Sequence, residues 1–167
     1  MCLKMSKYYK RRMKEALDRW PEDQPNKVYY KVYLKIEGAY LLSPYQKYNY
    51  CDPGIICSNR IDKALFRSLD DDEMLTYREV YRGIHVFTYK SDAKKFVDAF
   101  KASSFIRHIY RQYDQNLKPV IVPVVCHRDD LVAVGKTSGT DSDELKSRVF
   151  MKVEITKETW EEIFKEQ

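Results

Sequence analysis

The sequence predicts an α+β domain: a mainly antiparallel sheet of five to seven strands, with a long central helix and N- and C-terminal helices packed around it. Helical and strand-like segments do not alternate regularly, which argues against a doubly wound parallel sheet. Residues 27–36 alternate with period two, and segments near both ends carry apolar residues at helical spacing. The 167 residues fit one domain, in which residues 1–20 form a basic amphipathic helix and residues 27–167 form the body.

The N-terminal helix is expected from about Lys7 to Arg19. The Ser6 hydroxyl can accept a hydrogen bond from a free amide of the first turn, and Pro21 and Pro25 end the helix. The helix carries an apolar stripe that consists of Tyr9, Met13, Ala16, Leu17 and Trp20. We therefore expect the stripe to dock on the body and to leave a basic face in solvent.

The net charge of +5 belongs entirely to residues 1–20, which hold seven cations and two anions, so the remaining residues are neutral in sum. A neutral body argues against broad electrostatic capture of nucleic acid, which would have to begin at the N-terminus. The candidate contacts for an acidic partner or nucleic acid in this helix are Lys7, Lys10, Arg11, Arg12 and Lys14.

The segment from Lys27 to Ile36 is the clearest strand. Its apolar face is predicted to pack and its Tyr/Lys face to be wetter. Tyr29, Lys31 and Tyr33 on the second face are candidate contacts, because tyrosine rings suit base stacking or protein interfaces and lysines suit phosphates. The alternative is a face covered by a helix, with lysine stems lying over tyrosine rings.

The middle of the chain predicts several short elements separated by polar loops. After a turn at Glu37-Gly38, a return strand is expected at residues 39–42, and further elements follow a loop at residues 43–54. These elements are a strand at 55–57, a helix at 61–69, an acidic loop at 70–73, and strands at 76–81 and 84–89.

In the second half, Ser91 can cap the central helix, whose apolar face includes Phe96 and Phe100 and whose pattern resumes to Tyr113. The apolar run at 120–125 predicts a buried strand, although Pro123 favours an edge or a bulge. A short strand at 131–134 is expected to end at Gly135, before a mobile polar loop. A last strand at 149–155 and a closing helix capped by Thr156 follow; that helix has an apolar edge made of Trp160, Ile163 and Phe164.

Cysteine and histidine spacing predicts neither a metal site nor a cofactor. The four cysteines are expected to be reduced, small and buried in or beside strands, and they are Cys2, Cys51, Cys57 and Cys126. Cys51 and Cys57 lack a common zinc spacing, and no second pair completes a site. None of His85, His108 and His127 has a histidine three or four residues away.

One candidate ligand pocket combines a tyrosine-rich loop with two polar side chains, and a nucleotide-like molecule would be its ligand. Its residues are Tyr45, Tyr48, Tyr50, Arg60 and His85. His85 also fits a second interpretation, in which a strand histidine packs on a sheet face and is satisfied by a neighbour.

Catalytic signatures are missing from the sequence, so a non-enzymatic role is favoured. The string GKTSG at 135–139 lacks the earlier glycine of a phosphate-binding loop, and no Gly-x-Ser-x-Gly elbow occurs. No apolar run approaches the length of a membrane span, and no apolar run follows the basic start. We therefore expect a cytoplasmic protein with no membrane partner.

Five segments together resemble small domains of phage and bacterial genomes, in which a Gly-Ile/Phe-His-x-Phe strand runs into a helix and a late strand pair follows. The segments are YKVYLK, LLSPYQ, GIHVFTYKSDAKKF, PVIVPVVCHRDDLVAVG and VFMKVEI. The resemblance covers roughly residues 28–155 and brings no assigned activity. It implies a small accessory protein, phage-encoded and aimed at a host factor.

Three functional hypotheses follow. The first is a non-enzymatic binding protein that docks on a host macromolecule, most simply a protein, and modulates or inhibits it. The second is a small enzyme or sequestering protein for a nucleotide-like ligand in the tyrosine-rich pocket. The third is nucleic-acid binding through the N-terminal helix and the Tyr/Lys strand.

Overall fold

The computed structural model describes residues 3–4, 8–36, 40–43, 49–50, 52–58, 79–80, 83–102, 117–138 and 144–165. Within these residues it has three α-helices, α1 (Tyr9–Asp18), α2 (Lys90–Ala102) and α3 (Lys157–Lys165). A 3-10 turn, Arg128–Asp130, joins two of the strands. The predicted terminal and central helices are therefore confirmed.

The strands belong to one antiparallel sheet, as the predicted fold class requires. Those of four residues or more are β2 (Asn26–Ile36), β5 (Gly54–Cys57), β7 (Ile84–Phe87), β8 (Lys118–His127), β9 (Leu131–Ser138), β10 (Glu144–Phe150) and β11 (Lys152–Ile155). The shorter ones are β1 (Leu3–Lys4), β3 (Tyr40–Leu42), β4 (Asn49–Tyr50) and β6 (Glu79–Val80). The strand order is β5-β11-β8-β2-β7-β10-β9-β1-β6, with β3 pairing β2 and β4.

Two bends curl this sheet on itself. The 3-10 turn takes the chain from β8 into β9, and Met151 takes it from β10 into β11, where the Met151 amide donates to the Asp130 carbonyl at 2.8 Å. As a result β8 pairs with β2, β2 with β7, and β7 with β10, while β10 continues into β11, which pairs again with β8. The sequence predicted one strand at 149–155, because Val149, Met151, Val153 and Ile155 alternate as they would in a single strand. In the structure the bend changes the faces, and Phe150 shares the inner cluster with Val153 and Ile155.

The curl separates two apolar clusters, one on each face of the sheet. The inner cluster contains Trp20, Tyr29, Tyr33, Val122, Val124 and Phe150, and α1 and α3 pack against it. The outer cluster contains Val32, Leu34, Phe87, Phe96 and Phe100, and α2 covers it. Because separate helices cover the two faces, β2 is buried on both sides over much of its length.

Pro123 lies in a central strand, between β2 and β11, and not at an edge. Pro123 pairs with Tyr30 of β2, but its main-chain nitrogen points away from β2. It points to the side where β11 pairs with β8 through Glu154 and Val125. β11 ends at Ile155, so position 123 lies beyond the last residue of that neighbour. The missing N–H therefore costs no ladder hydrogen bond, and the conflict between the apolar run and the proline disappears.

Three predicted boundaries differ from the structure. The helix α1 begins at Tyr9, and the side chain of its N-cap residue Tyr8 makes no capping hydrogen bond, so Ser6 is not the cap. The helix α2 begins at Lys90, which places Ser91 inside the first turn. The strand β9 runs through Gly135 to Ser138, because its pairing with β10 continues past the glycine.

The cap of α3 is confirmed, since the Thr159 amide donates to the Thr156 hydroxyl at 3.2 Å. The return strand after residue 39 and the strand before residue 58 are also confirmed, as β3 and β5. The turn at Glu37-Gly38, the helix at 61–69, the loop at 70–73 and the continuation of α2 to Tyr113 lie outside the described residues.

Candidate docking surface

The Tyr/Lys face of β2 lies inside the curl, so the predicted wetter face is wrong. Tyr29 and Tyr33 belong to the inner cluster, and Lys31 between them is only 7% exposed. One face of β2 lies under α1 and α3, and the other lies under α2. Alternation of residue types along the strand cannot reveal that helices cover both faces. Tyr29, Lys31 and Tyr33 are therefore not surface contacts, because a buried side chain cannot reach a partner.

Each lysine on this face of β2 donates a hydrogen bond from its ammonium group to a main-chain carbonyl, and the ammonium lies over an aromatic ring. Lys27 donates to the Arg19 carbonyl and lies over Trp20, and Lys35 donates to the Ile163 carbonyl and lies over Phe164. These two carbonyls are at the C-terminal ends of α1 and α3, where a cation is favourable. The Tyr/Lys alternation is thus explained by helix attachment and needs no phosphate partner.

Lys31 is the middle lysine, and it donates its hydrogen bond to a strand, whereas Lys27 and Lys35 donate theirs to helix ends. Its Nζ donates to the His85 carbonyl at 3.3 Å and lies 5.2 Å from the centre of the Tyr33 ring. Burial lowers the pKa of Lys31 from its usual 10.5 to about 8, although nearby Cys126 acts in the opposite direction. Burial also raises the pKa of the Cys126 thiol, which keeps the thiol protonated. The inner cluster therefore holds one weakly basic amine and one inert thiol.

The helix α1 is anchored as the apolar stripe predicts. Trp20 is 1% exposed in the inner cluster, and Met13 and Leu17 pack against that cluster. The Trp20 indole donates to the Gln24 carbonyl at 3.0 Å. Arg128 in the 3-10 turn donates from Nε to the Trp20 carbonyl at 2.9 Å and from Nη2 to the Leu17 carbonyl at 3.4 Å. The C-terminal end of α1 is thus fixed to the sheet by a charged side chain.

The cations of α1 do not form one uniform basic face. At about 100° per residue, Lys10 and Lys14 fall on one flank of the apolar stripe and Arg12 falls on the other. Arg11 lies at the centre of the outward face, where it pairs with Glu15 at 3.1 Å. Lys10, Arg11, Arg12 and Lys14 are all exposed, whereas Lys7 lies outside the described residues. The outward face is therefore mixed in charge, which weakens the nucleic-acid hypothesis.

The tyrosine-rich pocket is placed only in part. Tyr45, Tyr48 and Arg60 lie outside the described residues, and the backbone of Tyr50 lies in β4 beside β3. His85 is buried in β7 opposite Val149, as the packed-strand interpretation expected. Cys126 is buried as predicted, but Cys57 is exposed, because it lies on the outer face of β5 at an edge of the sheet.

A part of the outer face carries exposed apolar side chains. The pairing of four adjacent strands places one residue of each in line: Val28 opposite Val125, Val125 opposite Glu154, and Glu154 opposite Ile55. Directly opposed residues share a face of a sheet, and Val28 shares its face with Val32 of the outer cluster. Val28 is 54% exposed and Ile55 is 69% exposed. We call these four residues the open sheet row.

Sequence reasoning missed the open sheet row. The alternation of residues 27–36 predicts that Val28 packs on the same face as Val32 and Leu34, which is correct for those two residues but not at the start of the strand. The run Ile55-Ile56-Cys57 carried the only local signal, an apolar strand bounded by turn residues. The register of four strands is needed to bring Val28 and Ile55 onto one line.

Among the residues that the structure describes, no three or more histidine, cysteine, aspartate or glutamate side chains gather where they could hold a metal ion. None of the helices in these ranges combines the length and the apolar character that crossing a bilayer requires. Comparison of the chain with protein-family models, with curated proteins and with solved structures finds no match.

Proposed function

We propose that this protein is a non-enzymatic accessory protein that docks on another protein through the open sheet row. The observation that carries the proposal is the exposure of Val28 and Ile55 on one line across four strands, next to the part of the same face that α2 covers. Exposed apolar side chains on a rigid sheet face are typical of interaction sites, and half-buried Val125 extends the apolar surface from Val28 toward Glu154 and Ile55.

The row also defines the chemistry of its partner. Val28 and half-buried Val125 form an apolar end, while Glu154 and its exposed strand neighbour Lys152 place opposite charges beside Ile55. A partner surface with an apolar ridge and a few charges at its margin complements this arrangement, since apolar centres with polar rims are usual in protein interfaces. The resemblance to phage domains makes a bacterial host protein the class of partner to test first.

The test is an affinity purification of crosslinked partners from bacterial lysate with matched variants. Val28→Lys and Ile55→Lys place a charge within the row without touching the core. Lys94→Glu on the exposed face of α2 is the control. We expect a stoichiometric protein with the wild type and the control, and at least about tenfold less with either row variant. A partner that both row variants retain, or no stoichiometric partner at all, would contradict the proposal.

Nucleic acid is a separate outcome of the same experiment. The exposed cations Lys10, Arg12 and Lys14 would carry such binding, and it would weaken steeply with salt. If the lysate yields nucleic acid in place of protein, and if Lys10→Gln, Arg12→Gln and Lys14→Gln together abolish the capture, the N-terminal helix is the functional surface.

A further inference from the structure

The helix α3 has the shallowest anchoring of the three helices. None of its described residues is fully buried, and it rests on the inner cluster through the half-buried side chains of Trp160, Ile163 and Phe164. By contrast, α2 buries Phe96, and α1 leads into Trp20, which is 1% exposed. Elements with few buried apolar contacts open at a lower free energy than the core of a domain. Burial therefore makes α3 the first of the helices to leave the sheet.

A single side chain of the sheet ties α3 down by polar contacts within the described part of the chain. The Lys35 Nζ donates to the Ile163 carbonyl and lies 5.1 Å from the centre of the Phe164 ring. The other hydrogen bonds and the ion pair of this helix are internal to residues 156–165. Loss of the Lys35 contact and of the shallow apolar packing is therefore enough to separate α3 from the sheet.

We infer that α3 is a detachable lid, which opens about Thr156 as one unit while the curled sheet stays folded. Thr156 is the single residue between β11 and α3, and Ile155 before it is 1% exposed and fixed in the inner cluster. A firmly packed strand end next to a shallow helix confines the motion to this joint. The motion is separate from the docking function proposed above, because α3 packs on the inner face and the open sheet row lies on the outer face.

Opening changes the apolar surface of the protein without unfolding the sheet. Trp160, Ile163 and Phe164 are spaced at i, i+3 and i+4, so they form one stripe of the helix. This stripe faces the inner cluster in the closed form. The open form therefore exposes in full an apolar stripe that the closed form covers in part.

Residue-resolved hydrogen exchange of the full chain, measured by NMR, tests the lid. A helix of nine residues is marginal by itself, so all its amides exchange once it detaches. We expect α3 amides to be protected at least about 100-fold less than the central amides of β2 and β8, and all to a similar degree. Low urea concentrations should change this protection little, because detachment exposes little surface.

Two results of this measurement would overturn the inference. Protection of α3 equal to that of β2 and β8 would mean that the helix opens only when the whole chain unfolds. Protection that falls steadily from Trp160 toward Lys165 would mean that the helix end frays and that no lid opens as a unit. Both results come from the wild type, so neither depends on a variant that folds.

Matched lysine variants test the tie itself. Lys35→Met keeps the stem of the side chain and removes the ammonium, so α3 amides should exchange at least about tenfold faster. Lys27→Met removes the equivalent contact of α1. It should leave the exchange of α3 unchanged, because the Lys27 contact survives when only α3 opens. Exchange of α3 that Lys35→Met does not alter, or that both variants raise equally, counts against the lid.

The same measurements separate the lid from the docking function. Val28→Lys on the outer face should remove the protein partner and leave the exchange of α3 unchanged. Lys35→Met should speed the exchange of α3 and leave capture of the partner unchanged. Failure of one proposal therefore leaves a recognisable pattern for the other.

Discussion

Lys31 places a positive charge inside the curl of the sheet, and its environment explains how this is tolerated. The His85 carbonyl accepts one hydrogen bond from the ammonium, and the Tyr33 ring lies beneath its charge. Removing an ammonium from water is costly, so burial favours the neutral amine and lowers the pKa of Lys31 to about 8. The stability of the protein must therefore depend on pH in the neutral to alkaline range.

Lys31 should make the protein more stable as the pH rises from 7 to 9. The pKa of this lysine is about 8 in the folded chain and about 10.5 in the unfolded chain, so the unfolded state binds more protons in that window. We expect the free energy of unfolding to increase by about 1 kcal/mol between pH 7 and 9. Urea denaturation at several pH values measures this. Lys31→Met should lose the increase, whereas Lys94→Met on exposed α2 should keep it; equal slopes in all three proteins would refute the argument.

Cys126 should act in the opposite direction above pH 9. Burial raises the pKa of its thiol, so the unfolded chain loses this proton while the folded chain retains it, and stability falls as the pH increases past the usual thiol value of 9.0. Between pH 9 and 10 the fall should amount to about 1 kcal/mol. Cys126→Ala should show a steeper rise in stability over this interval than the wild type, as measured by denaturant titration. A wild-type profile that Cys126→Ala reproduces would show that the thiol ionises equally in both states.

At the scale of the elements, the three helices are attached by different means. The helix α2 rests on the outer cluster, and the Asp92 carboxylate in its first turn accepts from the Lys146 amide at 3.0 Å. The helices α1 and α3 rest on the inner cluster, and their C-terminal carbonyls receive cations from β2 and from the 3-10 turn. Attachment of α1 thus depends on Arg128, which lies more than one hundred residues away in sequence.

Arg128→Met should loosen α1 and destabilise the fold by about 1–3 kcal/mol, because the Leu17 and Trp20 carbonyls lose a charged donor beside the inner cluster. Arg12→Met, an exposed change of the same chemistry on α1, should cost less than about 0.5 kcal/mol. Thermal melting and denaturant unfolding, followed by tryptophan fluorescence, measure both. If the two variants are equally stable, Arg128 does not anchor the helix.

On the scale of the whole molecule, the N-terminal segment is part of the core. Trp20 contacts Tyr29 and Phe150 at ring-centre distances of 5.7 Å and 6.0 Å, at the bend where the two halves of the curled sheet meet. Deletion of residues 1–20 therefore cannot test whether their charge binds a partner, because the deletion also removes the Trp20 side chain from the core. Neutralising the exposed cations one by one is the cleaner experiment.

Deletion of residues 1–20 should destabilise the chain by at least about 3–5 kcal/mol, the usual cost of removing a buried tryptophan. Lys10→Gln with Lys14→Gln should leave stability within about 0.5 kcal/mol, because both side chains are exposed. Far-ultraviolet circular dichroism and thermal unfolding distinguish the two. A truncated chain that unfolds cooperatively at the wild-type temperature would show that α1 is dispensable.

Local sequence patterns were enough to predict the α+β class, the apolar stripe of α1, the existence of β2 and the Thr156 cap of α3. Each of these depends on the periodicity or chemistry of neighbouring residues, which folding does not change. The sequence could not show that β2 is covered on both sides, because that depends on α1 and α3 folding back over its inner face and on α2 covering its outer face. Tertiary structure decided that Lys31 lies inside the curl and that β9 continues past Gly135. It also decided that Val28 and Ile55 share one row, because a strand's exposure and neighbours are set by register across the sheet.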